Sequence, residues 1–354
     1  MQKKNVLLYG ANGYTGELIA RYASEYNVQP ILAGRNEAAI RSLAERLQLP
    51  YRIFSLDDAA VLQQQLQDVQ LVIHAAGPFS HTAKQMVEAC IATHTHYIDI
   101  NGDISVFEFI KTYDAAAKQA NIMLLPGAGF DVIPTDCTAL ELKQQLPDAT
   151  HLQLAFISNG GGLSHGTATT MAQRIGEKAV IRENGTFVRK PLGFKGMWLT
   201  VANKQRFVMS LQWGDISTAH HTTGIPNIEV FTGMQPKTYR LLKFQFLFNW
   251  LLRTKFIRNI IQQKINERPA GPTDEQRANG STIVWGKVWN AKGEEKTSVL
   301  QCADGYSVTA WGNLLITQKI LQGNWKAGYQ TPASAYGKEL VFEIPGSKAI
   351  NPAL

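Results

Sequence analysis

"LLYGANGYTGELIARY", Leu7–Tyr22, is the stretch that decides the fold. An apolar run, Val6–Tyr9, leads straight into glycines at 10, 13 and 16, after which Leu18, Ile19 and Tyr22 recur at helical spacing. This is the strand, tight turn and helix start of a nucleotide-binding βα unit. In such a turn one glycine permits the bend, another lets backbone approach a pyrophosphate, and the last lets helix and strand pack closely. The helix N-terminus then offers free N–H donors to the phosphates. The spacing here is GxxGxxG rather than GxGxxG, with Asn12, Tyr14 and Thr15 filling the turn. A glycine-rich turn without a ligand is the plainer alternative.

Outward from this unit, strand and helix patterns alternate with short loops to about residue 130. "QPILAGRN" reads as a strand and "EAAIRSLAERL" as a helix. A third crossing runs through Tyr51–Phe54, and "LVIHAAGPF", "HYIDI" and "IMLLP" supply three more strands. The expectation is an α/β protein with an N-terminal Rossmann-type parallel sheet wound on both sides. Beyond Pro126 the rhythm changes: "GFDVIPTDCTALELKQQL" reads as loop then helix, "HLQLAFI" as a strand and "GTATTMAQRIGEKAVI" as a helix. "STIVWGKVWN" and "KTSVLQCA" form a hairpin around "AKGEE". A C-terminal α+β substrate and dimerisation domain is therefore expected over 133–309. The Rossmann domain covers 1–132 and is completed by 310–354, where "TPASAYG" reads as a capped helix.

The end of the second strand bears on which dinucleotide is bound. Where an NAD enzyme usually places an acidic residue for the ribose 2′-OH, this chain has Gly34, Arg35 and Asn36. A guanidinium can pair with a 2′-phosphate and stack on adenine, which favours NADP. A solvated loop cation is the alternative, and Glu37 stands close by. After the fourth strand, Ala75, Ala76 and Gly77 are small enough for close backbone approach and Pro78 stiffens the turn. The expected cofactor contacts are thus Gly10, Asn12, Gly13, Tyr14, Thr15, Gly16, Arg35, Asn36, Ala76, Gly77 and Pro78.

Composition narrows the class. The 354 residues suit about two domains, and 45% hydrophobic with 18% charged residues is ordinary for a globular protein. The start, MQKK, lacks the pattern of a secretory leader. Cys90, Cys137 and Cys302 have neither CxxC nor metal-ligand spacing, so reduced thiols, a cytoplasmic location and no metal are expected. The net charge of +7 is local. Val230–Asn266 contains no acidic residue but holds Lys237, Arg240, Lys243, Arg253, Lys255, Arg258 and Lys264. Nothing resembles a nucleic-acid-binding motif. Tyr239–Ile265 could be a basic amphipathic helix at a membrane surface, a subunit interface of a homodimer, or the wall of an apolar pocket.

"GANGYTG", "AAGPF", "GFDVIPTD", "GGLSHGTATT" and "STAHHTTGIPNIEVFTG", in that order, make the chain resemble the saccharopine dehydrogenase-like oxidoreductases. It is more similar to their shorter bacterial branch, which includes proteins described as trans-acting enoyl reductases. The resemblance implies an NADP-binding Rossmann domain and an α+β domain covering its cleft, but not the reaction. Asp131, just beyond the sixth strand at the carboxyl edge of the sheet, is the first candidate for a substrate contact or proton donor. Capping of the next helix is the alternative for Asp131, Thr135 and Asp136. His165, in a glycine-rich loop before a helix that Thr167 would cap, is the second candidate. His220 and His221, if on a strand, would face opposite ways. Asp99, Asn101 and Asp103 could touch the nicotinamide ribose or serve turn chemistry. The expectation is an NADP(H)-dependent oxidoreductase that reduces a carbonyl, imine or activated double bond of a small-molecule substrate. The alternative is a non-catalytic cofactor-fold protein acting as a membrane-surface or partner-binding module.

Overall fold

The computed structural model describes residues 3–160, 164–173, 177–201, 203–247, 249–252, 254–267 and 269–350. It divides into two compact units: Met1–Ile133 with Gly305–Pro345, and Pro134–Asp304 with Gly346–Leu354.

The first unit is built on six parallel strands: β1 (Asn5–Tyr9), β2 (Ile31–Gly34), β3 (Tyr51–Ile53), β4 (Val69–His74), β5 (His96–Asp99) and β6 (Met123–Leu125). A short strand, Gly328–Tyr329, joins the β6 edge. The order is β3-β2-β1-β4-β5-β6 and then Gly328–Tyr329, all parallel. The order reverses between β1 and β4, the switch point at which such sheets bind ligands beyond the carboxyl ends of their strands. The strands read as near-continuous apolar runs because helices cover both faces; Leu7, Leu8, Val72, Ile73 and Ile98 are fully buried.

Helices α1 (Tyr14–Tyr22), α2 (Glu37–Leu47), α3 (Ala59–Gln65), α4 (Phe79–Ala92), α5 (Ile104–Lys111) and α6 (Asp114–Gln119) supply the crossovers. The crossover from β5 to β6 is made by two helices, α5 and α6, broken at Thr112 and Tyr113. Asp58 and Asp103 cap α3 and α5 through their carboxylates. From the far end of the chain, the helix Gly305–Leu321 packs against α1, with Tyr306 edge-on to Tyr14 at 5.1 Å and Trp311 against Tyr22 at 5.8 Å. "TPASAYG" forms the helix Pro332–Tyr336, opened by a capping box at Thr331.

The second unit holds a mixed sheet. Its strands are β7 (His151–Asn159), β8 (Ala179–Glu183), β9 (Thr186–Lys190), β10 (Gly196–Val201), β11 (Lys204–Leu211), β12 (Asn227–Gly233), β13 (Ser281–Trp289) and β14 (Glu295–Ala303). The main path runs β10-β11-β12-β7-β13-β14 and ends on Lys348–Ile350, while β8 pairs with β12 and β9. Only β12 and β7 run parallel along that path. The final strand, Lys348–Ile350, thus lies against Val299–Gln301 of the second unit rather than in the Rossmann sheet that 310–354 was expected to complete.

Three local readings are corrected. His220 and His221 sit on a helix, Asp215–Thr223, not a strand. The Thr223 hydroxyl is satisfied within the helix by donating to the Ala219 carbonyl at 2.5 Å, and Gly224, at φ +70°, closes the end. "GTATTMAQRIGEKAVI" is not one helix: the helix is His165–Gln173, and Ala179–Ile181 lie in β8. Tyr239–Ile265 is broken into the helix Pro236–Leu242, a 3₁₀ turn Gln245–Leu247, a single turn Asn249–Leu252 and the helix Lys255–Asn266. Pro236 starts the first and the Thr254 side chain caps the last, which is why no single apolar face runs through the segment.

Gly16 shows how tightly the first turn is drawn. A Cβ there would fall inside the contact radius of the Gly10 carbonyl oxygen and 2.9 Å from Ala11 Cα, both backbone atoms that cannot rotate away. Gly16→Ala is expected to destabilise the first unit by about 1–3 kcal/mol through overpacking, read as a lowered urea midpoint. An unchanged midpoint would mean that α1 does not pack this closely on β1.

Candidate functional site

Two loops at the switch point meet. The β1 loop is held by Gly10 N and Ala11 N, which both donate to the Ala33 carbonyl of β2, at 2.8 and 3.3 Å. The β4 loop is held by Ala75 N donating to the Tyr9 carbonyl at 2.8 Å and by Thr82 Oγ1 donating to the Ala76 carbonyl at 2.8 Å. Gly10 adopts φ +86°, and a Cβ on it would sit 2.7 Å from Ala76 N, so the loops are in backbone contact.

The glycines divide into two kinds. Gly10 and Gly16 are required by the chain's own packing. A Cβ on Gly13 meets only the Gly10 carbonyl oxygen, at 3.3 Å, and one on Gly77 meets nothing closer than the Phe79 ring at 3.7 Å. Among the described residues a side chain at Gly77 meets only ordinary contacts, and one at Gly13 meets a single tight contact that a shift of a few tenths of an ångström relieves. Both are exposed, and α1 begins on Gly13 with no side-chain cap. A bare backbone beside an uncapped helix start is what a pyrophosphate requires. The residues present therefore fit a dinucleotide.

Arg35 follows β2 directly and is exposed, with no carboxylate partner among the described residues. Glu37, the nearby acid, is taken by Arg41 at 2.5 Å. Asn36 is committed to the fold: its Oδ1 caps α2 by accepting from Ala39 N at 3.1 Å. Asn12 is exposed, its Oδ1 lying 3.3 Å from where a Cβ on Gly34 would stand. Thr15 is half-buried, Tyr14 packs on Tyr306, and Ala76, Gly77 and Pro78 lie on the β4 loop.

Beyond β5 and β6 the edge carries a buried polar line that the sequence reading did not assemble. Tyr97 and Asp99 alternate onto one face of β5, and the register sets His74 beside Asp99. The Tyr97 hydroxyl donates to Asp99 Oδ2 at 2.7 Å and lies 3.2 Å from His74 Nδ1. Burial holds the His74 pKa down to about 3, so its ring is neutral. Asp99 Oδ1 accepts from Asn101 N at 2.9 Å and from Gly127 N at 2.8 Å, which ties the loops after β5 and β6 together. Burial nonetheless pushes its carboxyl up to about 6. Asn101 Oδ1 accepts from Asp103 N at 2.7 Å, and Asp103 caps α5, so all three residues serve turn chemistry. Asn101 Nδ2, however, is buried with no partner among the described residues.

Asp131 stands on the loop after β6. Its carboxylate packs so closely on Gly102 that a Cβ there would overlap Oδ2. Burial raises its pKa to about 6. Thr135 and Asp136 do not cap the following helix, which already begins at Ile133. The Thr135 hydroxyl donates to Asp215 Oδ1 at 2.6 Å, and Asp136 Oδ1 accepts from the Thr222 hydroxyl at 2.6 Å. His165 belongs to the second unit, half-buried at the start of its helix, its backbone N donating to the Ala270 carbonyl at 2.9 Å. Gly161, Gly162 and Leu163, and the side chain of Thr167, lie outside the described residues. Among the described residues no three His, Cys, Asp or Glu side chains are placed to hold a metal.

Residues 6–125 match the sequence model of the saccharopine dehydrogenase NADP binding domain, a stretch that includes the motifs GANGYTG and AAGPF. A trans-acting enoyl reductase of Mycobacterium leprae (strain TN) is 28% identical over 152 residues, 40% of this chain and 36% of its own length. A saccharopine dehydrogenase-like oxidoreductase of Mus musculus is 22% identical over 204 residues, 51% of this chain and 48% of its own. The chain thus spans less than half the length of these curated relatives. Apo saccharopine dehydrogenase (L-Glu forming) of Saccharomyces cerevisiae superposes with a TM-score of 0.67 at 13% identity, over 98% of this chain and 100% of that one, and shares the fold.

Proposed function

We propose that this protein is an NADP(H)-dependent oxidoreductase that reduces a carbonyl, imine or activated double bond of a small molecule. The observation that carries this reading is the pairing of an exposed Arg35, engaged by no carboxylate among the described residues, with a glycine turn left bare beyond what its own packing demands. Gly10, Gly13, Gly16 and the start of α1 would hold the pyrophosphate, and Ala76 and Gly77 would pass under the dinucleotide. Arg35 would read the 2′-phosphate by charge-assisted hydrogen bonds. When bound, the nicotinamide supplies the hydride.

The chain's own contribution to the chemistry is position and a proton. Asp131, at the edge beyond β6 with its carboxyl pushed up to about 6, is protonated in part near neutral pH and can donate to the reduced substrate. His165 is the second donor to test. Cys90, Cys137 and Cys302 are buried and form no disulfide among the described residues, which suits a reducing cytoplasm.

The test is loss of NADPH absorbance with the purified protein across aldehydes, ketones, cyclic imines and enoyl thioesters. Substrate-dependent oxidation with one of these classes, faster with NADPH than with NADH, is expected. Tight NADPH binding with no turnover on any class would contradict catalysis and favour the non-catalytic reading.

A further inference from the structure

We propose that the second unit docks on the surface of an anionic lipid bilayer through the face formed by Trp198 and the described residues of the helices Pro236–Leu242 and Lys255–Asn266 and the turns Gln245–Leu247 and Asn249–Leu252 between them. The broken segment turns large apolar side chains outward. Leu241 is 74% exposed, Phe246 68%, Trp250 70% and Phe256 70%, with Trp198 and Phe244 also exposed. Isolated exposed apolar residues need no explanation, but a run of this size and aromatic content marks an interaction surface.

The segment is held to its own unit from the other side. Tyr239 is buried against Phe207 at 5.1 Å, and Gln245 Nε2 donates to the Leu192 carbonyl at 2.6 Å. Ile265 of the helix Lys255–Asn266 packs with Ala168 and Ala172, and Gln262 Nε2 donates to Thr169 Oγ1 at 3.1 Å. The exposed aromatics therefore project from an anchored base and do not belong to a detached tail.

Charge selects the occupant. Lys237, Arg240, Lys243, Lys255 and Lys264 are exposed and have no carboxylate partner among the described residues; Arg258 pairs with Glu177 at 3.2 Å. Arg240 and Lys243 share a groove of about 510 Å³ with Trp198, Phe207, Tyr239 and Phe244, which sets cations beside an aromatic floor. A second copy docked about a two-fold axis would press these cations against their own equivalents. An anionic headgroup layer neutralises them and takes the aromatic rings at its boundary, where Trp and Tyr are favoured. No helix among the described residues is long and apolar enough to cross a membrane, so the contact is peripheral.

The test is co-sedimentation of the full chain with vesicles of phosphatidylcholine alone and of phosphatidylcholine with phosphatidylserine. Binding at least tenfold tighter to the anionic vesicles, weakened by salt, is expected. The paired variants Phe246→Ser/Trp250→Ser and Arg240→Glu/Lys243→Glu should each lose at least tenfold of it while keeping the parent's melting temperature and NADPH affinity. No sedimentation with either vesicle would overturn the proposal. So would an apolar-pair variant that abolishes a concentration-dependent dimer in light scattering but leaves vesicle binding intact, which would assign the face to a second copy.

Discussion

Asp131→Asn is expected to cut substrate-dependent NADPH oxidation by roughly 10²–10³-fold, the usual share of a positioned general acid. Asparagine keeps the shape that packs on Gly102 but cannot give up a proton at neutral pH. NADPH affinity should stay within threefold, which separates loss of chemistry from loss of the site. Stability should move the other way. The folded-state pKa of about 6 is raised from 3.8 by burial, so the folded chain binds more protons than the unfolded one between these values. The Asp131 contribution to stability is thus full below pH 4 and lost as pH rises through 6. At pH 8 the asparagine variant should melt at or above the parent's temperature, and that advantage should vanish near pH 4. For the parent, the reduction rate should fall as pH rises through about 6, and the variant's profile should be flat there. A variant that keeps a third or more of the rate would remove Asp131 as the donor and pass the role to His165, tested as His165→Gln.

Arg35→Ala is expected to weaken NADPH by roughly 10–100-fold, the loss of one or two hydrogen bonds to a charged group at about 1.5–3 kcal/mol. Affinity for NADH, which lacks the 2′-phosphate, should hardly change. The Arg35 charge opposes the rise that burial imposes on the Tyr9 pKa. Because Arg35 is exposed and carries no ion pair, its removal leaves no buried charge unpaired, and the melting temperature should not move. An equal loss for both dinucleotides would mean that Arg35 supports the adenine by stacking without reading the phosphate.

The Rossmann half of the fold was legible because its rules are local. The strand–glycine–helix unit, the alternation to β6 and the capped helix of "TPASAYG" all follow from short-range pattern. The glycine turn, Arg35 and the β4 loop could be placed for the same reason. What could not be read depends on neighbours distant in sequence. The His74–Tyr97–Asp99 line needs the β4–β5 register, and only the alternation of Tyr97 and Asp99 hinted at it. Asp136 reads as a cap until Thr222, on another helix, is seen to donate to it. The helix Asp215–Thr223 was missed because its threonines favour strands by local propensity, and tertiary packing overrides that preference. Tyr239–Ile265 reads as one helix only if a single axis is assumed, and the chain uses four pieces.

The roles proposed for Arg35 and Asp131 both rest on a nicotinamide dinucleotide held by the glycine turn. That binding is tested most directly by fluorescence titration of the full chain and its Gly13→Ala variant with NADPH. A Cβ at this exposed position meets the protein only at the Gly10 carbonyl oxygen, so the variant should fold. Micromolar binding by the parent, weakened at least tenfold in a variant of near-parental melting temperature, is the expected result. No binding by the parent, or equal binding by both, would contradict the account, because the turn would then be closed on itself with no phosphate against it.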